Sequence, residues 1–508
     1  MEQCHFAVLV VGAGASGLGA AIRLGQAGVD DLAVLEKAGS LGGTWRDNTY
    51  PGCACDVPSA LYSYSFAPNP EWTRAFAGQA EIRAYLADTA SRFGVTSKIR
   101  YGVEVTRAQW NPRESIWELE TTRGPYSARV LVAGTGPWHE PLIPDLPGLG
   151  DFPGEVFHSA RWNHDYDLSG KRVAVIGTGA SAVQFVPRIV PSVGRLHLFQ
   201  RTAQWVLPKP DHHVPGVERF LLRRFPALQR ALRSAEYGAM ETLGFGFRHP
   251  WLLRQVQKIG LAHLRLAVRD PALRRALTPD YTLGCKRLLM SNTYYRSLTQ
   301  SHVDVHATAV RSVSGSRVLG ADGSSADVDA IIFGTGFHIL DMPVSSRVFD
   351  GDGRSLDDHW KGSPQAYAGT TVAGFPNLFL LLGPSLGTGH SSAFMILEAQ
   401  LRHTVSAVTR TLSAEGAVLS VRPEAQEAFN AEVQAALPGT VYQSGGCSSY
   451  YTDVNGRNSF SWPFSTGRLR SQVGAFDEAD YEVVSEKQGW NTVSHSQPGG
   501  QSHSQHRP

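Results

Sequence analysis

The stretch that decides the fold begins Phe6-Ala-Val-Leu-Val-Val-Gly12-Ala-Gly14-Ala-Ser16-Gly17 and continues to Val29-Asp-Asp-Leu-Ala-Val-Leu-Glu36. An apolar run ends in three glycines, small helix-compatible residues follow to Gln26, and a second apolar run closes on an acid 19 positions after Gly17. That order is the strand, turn, helix and strand of a dinucleotide-binding βαβ unit. Glycines let helix-terminal N–H groups approach a pyrophosphate, and a carboxylate at Glu36 accepts hydrogen bonds from ribose hydroxyls and repels a 2′-phosphate. Further along, Arg172 to Ile176 runs into Gly177-Thr178-Gly179-Ala-Ser181-Ala182, a helix-like stretch, and the strand Arg195 to Gln200, which ends at Arg201-Thr202. A cation and a hydroxyl there suit the phosphate that an acid would repel. The two endings predict FAD or NAD in the first unit and NADPH in the second, with Thr178, Ser181 and Gln184 meeting the NADPH phosphates. No shorter periodic repeat is present.

Around these units the composition sets bounds. The 508 residues suffice for two to four domains with a deep cofactor site. Hydrophobic residues at 42% and charged ones at 18% exclude a mostly disordered chain. Lys plus Arg 47 against Asp plus Glu 45 is too balanced for a nucleic-acid binder. Five cysteines in so long a chain make no disulfide framework and fit a reducing compartment, and no metal-ligand spacing is present. The start flows directly into the first strand without a signal-peptide pattern, and no apolar run is long enough to span a bilayer, so a soluble cytoplasmic protein is expected.

Pro137 to Pro153 is a Pro- and Gly-rich linker between the units. About 212–280 lacks strand signals and is expected to form a helical cap with Arg219, Arg223, Arg224, Arg230 and Arg233 among apolar residues. A solvated cap is the expectation, with contact to a membrane surface as the alternative. From 484 the tail turns to Ser, Gln, His, Gly and Pro and is expected to be disordered. A flavin beside NADPH implies hydride transfer and then delivery of electrons elsewhere. A disulfide reductase would need a redox dithiol, but Cys53-x-Cys55 has the wrong spacing for a relaxed ring. Oxygen is therefore the expected acceptor.

Two longer stretches carry a family resemblance. Phe152-Pro-Gly154-Glu-Val-Phe-His158-Ser-Ala-Arg-Trp162 resembles the FxGxxxHxxxW fingerprint of type I Baeyer–Villiger monooxygenases. Gly43-Thr44-Trp45-Arg-Asp-Asn-Thr-Tyr50-Pro51-Gly52-Cys-Ala-Cys-Asp56 resembles their GxWxxxxYPGxxxD pattern. Related N- and S-oxidising enzymes usually carry Tyr or Phe at the place of Trp162; Asn163 departs from the usual Pro or Asp. The likeness runs from the first glycine turn to about Arg470. It implies FAD in the first unit, NADPH in the second, and a flavin C4a-peroxide that attacks a ketone to give an ester or lactone. Gly284-Cys-Lys286-Arg287 resembles the segment that supplies the family's catalytic arginine, so Arg287 is expected to be catalytic, with Asp56 holding it and Lys286 on the cofactor phosphate. Thr44, Trp45, Tyr62 and Val105 are expected at the FAD, together with Gly12, Gly14, Ser16, Gly17 and Glu36. His158 and Trp162 are expected at a joint that couples the domains.

The expected architecture is α/β, with two Rossmann-like domains, the second inserted in the first. The FAD domain takes 1–141 and 325–483, and the NADPH domain with its helical cap takes 142–324. The expected partners are a small-molecule ketone and oxygen. N- or S-oxygenation with the same cofactors is the alternative function, and a silent nucleotide-binding or redox-sensing protein is the reading from another class. Trp162, Asp56 and Arg287 together favour the ketone reaction.

Overall fold

The computed structural model describes residues 4–414 and 416–484. The expected disordered tail lies outside the described residues, except Val484, which ends the strand Tyr481–Val484. The apolar run at the start forms Cys4–Val11, whose Val8, Leu9 and Val10 are completely buried. It lies between Leu32–Glu36 and Tyr126–Ala133, parallel to both. A strand flanked by parallel neighbours with helices over its faces is buried on both sides, which is why this run is continuously apolar rather than alternating.

The resulting eight-stranded sheet has the order Val348–Phe349, Val105–Asn111, Ile116–Thr121, Tyr126–Ala133, Cys4–Val11, Leu32–Glu36, Ile99–Tyr101, with Leu378–Leu380 also pairing with Tyr126–Ala133. Strands from both ends of the chain thus share one sheet. The helix Ala393–Leu412 lies against Ala15–Gln26, where Gly19 lets Leu401 and Tyr64 approach closely.

The second sheet has five parallel strands in the order Val303–His306, Arg195–Phe199, Arg172–Ile176, Ala330–Phe333, Glu155–His158. The structure corrects one expected boundary. Ala330–Phe333 fills the slot between Arg172–Ile176 and Glu155–His158, so the chain leaves this sheet after Phe333 and not at 325. An apolar strand end carries no mark of which sheet it joins, and register alone settles it. The segment expected to be a cap forms the helices Gly216–Arg224, Pro226–Arg248, Pro250–Ala267 and Pro271–Ala276.

The cysteine expectation is also corrected: Cys285 and Cys447 are joined by a disulfide. They are 162 positions apart, so no local spacing could announce the bond. Cys4, Cys53 and Cys55 remain free.

Candidate functional site

At the carboxyl end of Cys4–Val11 the chain turns through Gly12 at φ +99°, and a Cβ there would stand 2.8 Å from the Gly134 carbonyl oxygen. Only glycine combines that backbone angle with that approach. The second unit repeats the geometry: Gly177 has φ +104°, and its Cβ would meet the Gly334 oxygen at 2.5 Å. Both partner glycines open a Gly-Thr-Gly tripeptide, Gly134 to Gly136 and Gly334 to Gly336, directly after an apolar strand. This second repeated signal was available in the sequence, and the first copy of it was missed.

Each turn leads into a helix, Ala15–Gln26 after Gly14 and Ala180–Ile189 after Gly179, and neither helix has a side-chain cap. Ser16, Thr178 and Ser181 therefore leave the first-turn N–H groups open, and uncapped helix amides are an anion site.

Gly12, Gly14, Ser16, Glu36, Thr44, Trp45, Tyr62 and Val105 line one cleft, together with Gly43 and Trp138. Its wall is bare backbone, since a Cβ on Gly43 would stand 3.0 Å from the Gly14 Cα. Gly17 lies behind the wall, where a Cβ would collide with the Gly12 oxygen. Glu36 is buried and accepts the N–H groups of Ala13 at 2.8 Å and Ala38 at 2.9 Å, and pairs with Arg46 at 2.8 Å. Those bonds fix the carboxylate at the cleft edge, with remaining acceptor capacity for hydroxyls. Trp45 Nε1 donates to the Tyr62 hydroxyl at 3.1 Å, and Thr44 Oγ1 donates to the Trp138 carbonyl at 3.0 Å. The Val105 carbonyl accepts from Arg347 at 3.0 Å, which leaves it one lone pair for an adenine. A bare backbone cradle, open helix amides and a placed carboxylate fit a dinucleotide without a 2′-phosphate.

The second unit differs in charge. Arg201 is exposed, Lys286 is half-buried, and the Lys286 ammonium lies over the Tyr281 ring. Burial first, then the positive Arg201, lowers the Lys286 pKa. A lysine whose charge is disfavoured by a nearby arginine marks a seat for an anion. Thr178 Oγ1 donates to the Thr202 carbonyl at 3.3 Å, which ties the turn to the strand end beside Arg201. Gln184, expected at the NADPH phosphates, makes contacts across to the first unit. Its Oε1 accepts from the Tyr50 hydroxyl at 2.9 Å and the Ala54 N–H at 3.2 Å, while its Nε2 donates to the Ala54 carbonyl at 2.9 Å. The amide thus joins the two units and keeps one Nε2 N–H free among the described residues.

Asp56 and Arg287, 231 positions apart, meet in a bidentate pair: Nε to Oδ2 at 2.8 Å and Nη2 to Oδ1 at 2.7 Å. Burial disfavours the Asp56 carboxylate, but Arg287 and Lys209 outweigh it and hold its pKa below the ordinary value. Arg287 is raised further by the facing carboxylate. Arg287 acts electrostatically on Tyr62 in the cleft wall and on Tyr450 and Tyr451. Three participants were missed in the sequence: Lys209, whose Nζ donates to the Cys55 carbonyl at 3.1 Å, and the two tyrosines of the Cys447 loop. Nothing local marks them, because only folding brings these segments to Arg287.

His158 ends its strand opposite Phe333, buried, with Nδ1 accepting from the Ala160 N–H at 3.1 Å. Burial first, then Arg161, lowers its pKa to about 4, so the ring is neutral at working pH. Trp162 packs on Phe185 at 5.3 Å, and Phe185 on Tyr50 at 6.1 Å, a chain of rings from one unit to the other. Cys53 and Cys55 stay unpaired; burial pushes the Cys53 thiol up to about 12, which makes it a poor redox nucleophile.

The chain is 50% identical over 483 residues to a Baeyer–Villiger monooxygenase of Streptomyces coelicolor, covering 94% of this chain and 93% of that protein. The chain belongs to the Baeyer–Villiger monooxygenases. A family model described as pyridine nucleotide-disulphide oxidoreductase also matches residues 9–233. Among solved structures, cyclohexanone monooxygenase from Rhodococcus bound to NADP+ superposes with a TM-score of 0.83 at 26% identity, covering 95% of this chain and all of that one. An ε-caprolactone-bound cyclohexanone monooxygenase superposes with a TM-score of 0.81 at 25% identity, with the same coverage.

Proposed function

We infer that the chain is an FAD- and NADPH-dependent Baeyer–Villiger monooxygenase that inserts one oxygen atom beside a ketone carbonyl to give an ester or lactone. The observation that carries this reading is the bidentate Asp56–Arg287 pair, whose charges are felt by Tyr62 in the wall of the cleft. When bound, FAD supplies a ring that takes hydride from NADPH and passes electrons to oxygen. The remaining work belongs to the chain. Glu36 holds ribose hydroxyls in the first cleft, and Arg201 with Lys286 holds the 2′-phosphate at the second. Arg287 stays positive at every working pH and stabilises the negative charge that develops on the reacting oxygens. Asp56 fixes the guanidinium plane, so little reorganisation is needed when that charge appears. His158 and Trp162 couple the units, Trp162 through Phe185 and Tyr50.

The domain division that fits this reading gives the FAD domain 1–141 and the chain from about 334 to 483, with the NADPH domain between. The substrates are a small-molecule ketone and oxygen. The site of action is the cytoplasm, supported by the need for NADPH; the free thiols of Cys4, Cys53 and Cys55 fit that compartment and the Cys285–Cys447 bond does not. N- or S-oxygenation remains the competing chemistry, and a permanent cation held in place by Asp56 favours the ketone reaction. Product analysis with linear, cyclic and aryl ketones plus a thioether decides between them; sulfoxide without any ester would favour the competitor. Arg287→Ala is expected to abolish ester formation while NADPH still reduces the flavin, and an undiminished ester yield would refute the role given to Arg287.

A further inference from the structure

Nine of the thirteen exposed large apolar side chains among the described residues lie between Val217 and Leu266, in the helical insertion. Their arrangement is most regular on Pro250–Ala267. That helix buries Leu253, Gly260 and Leu264 against the body of the protein, with Gly260 close to Trp205 and Leu207. On its outer side Trp251, Ile259 and Leu266 are 60%, 54% and 85% exposed. At 3.6 residues per turn these three fall within an arc of about 80°. Arg254, Lys258 and Arg265 fall within about 40° on the adjoining edge. All three cations are exposed and none takes part in an ion pair among the described residues. The sequence from Thr242 to Arg269 contains five basic residues and no Asp or Glu.

An apolar stripe with an uncompensated cationic border, on a helix anchored from behind, is the pattern of a segment that lies in a lipid interface. We propose that the outer face of Pro250–Ala267 docks the enzyme on an anionic bilayer surface, with Trp251, Ile259 and Leu266 entering the headgroup boundary and the three cations meeting lipid phosphates. Charge decides the occupant. In a two-fold dimer the same face meets itself, and two cationic borders would be brought together without a counter-charge. A bilayer rich in anionic lipid supplies both the apolar depth and the negative charge that the face lacks. No helix of the described residues is long and apolar enough to cross a membrane, so the contact is one of surface. It would bring the enzyme to ketones dissolved in the bilayer.

The full-length FAD-loaded enzyme is tested by flotation with vesicles of phosphatidylglycerol and phosphatidylcholine, with pure phosphatidylcholine as the control. Binding to the anionic vesicles at low salt and release at high salt are expected. Each basic residue near such a surface strengthens binding about fivefold, so Arg254→Glu, Lys258→Glu and Arg265→Glu combined should lower partitioning at least about a hundredfold. Leu266→Ser with Ile259→Ser should weaken it even at low salt, with NADPH oxidation on a water-soluble ketone unchanged. The proposal is overturned if anionic vesicles do not bind the enzyme, or if the charge-reversed variant binds them as the parent does. It is equally overturned if gel filtration shows a dimer that the Leu266→Ser variant dissociates, which would assign the face to a second copy.

Discussion

At the scale of single residues, the chemistry turns on a carboxylate and a guanidinium that share two hydrogen bonds. The folded Asp56 pKa lies below its unfolded value, so the pair's contribution to stability is complete above about pH 3.9 and is lost as pH falls through the lower folded value. Acidification from neutrality to pH 5 should therefore leave the pair intact, and any activity loss in that window must come from other groups. Asp56→Asn keeps the size but turns an N–H toward the guanidinium. Because a displacement of about 1 Å at a reacting centre costs about a hundredfold, ester formation should fall by that order while FAD stays bound. Steady-state product assays with a flavin absorbance spectrum check it. Both partners were legible as candidates through the family resemblance, Asp56 in the pattern after Tyr-Pro-Gly and Arg287 in the separate Gly-Cys-Lys-Arg segment. Lys209, Tyr450 and Tyr451 were not legible, because each is an ordinary residue in its own segment.

At the scale of elements, the two glycine turns are the same device used twice, and they should fail separately. Gly12→Ala forces a Cβ against the Gly134 carbonyl at a positive φ, and should yield a protein that loses FAD. Gly177→Ala meets the Gly334 carbonyl in the same way and should keep FAD, remain yellow, and lose reduction by NADPH by at least about tenfold in apparent affinity. Stopped-flow flavin reduction across NADPH concentrations distinguishes the two. A Gly177→Ala enzyme reduced as readily as the parent would remove the second turn from cofactor binding. These turns were plain in the sequence because a glycine needed for a backbone angle leaves a fixed spacing. The placing of Ala330–Phe333 was not, since the slot it fills is chosen by the strands on either side of it.

At the scale of the whole molecule, the Cys285–Cys447 bond ties the residue before Lys286 and Arg287 to the loop that carries Tyr450 and Tyr451. A crosslink over so long a stretch constrains the unfolded chain, typically by about 2–4 kcal/mol. Cys447→Ser should lower the melting temperature, and dithiothreitol should bring the parent to the same value without changing the variant. A parent that melts identically with and without reductant would mean the bond does not form in solution. Ester formation should decline with the bond broken, since the loop that carries the two tyrosines then loses its covalent tie to the segment of Arg287.

The sequence by itself determined the two nucleotide units and the glycine turn that opens each one. These depend on neighbours within one turn or one strand, and spacing records them. Which sheet Ala330–Phe333 enters, that Gln184 bridges the units, and that two distant cysteines meet were decided only by the tertiary structure. Such contacts join segments more than a hundred positions apart, and their free energy comes from burial and register that no short stretch of chain contains.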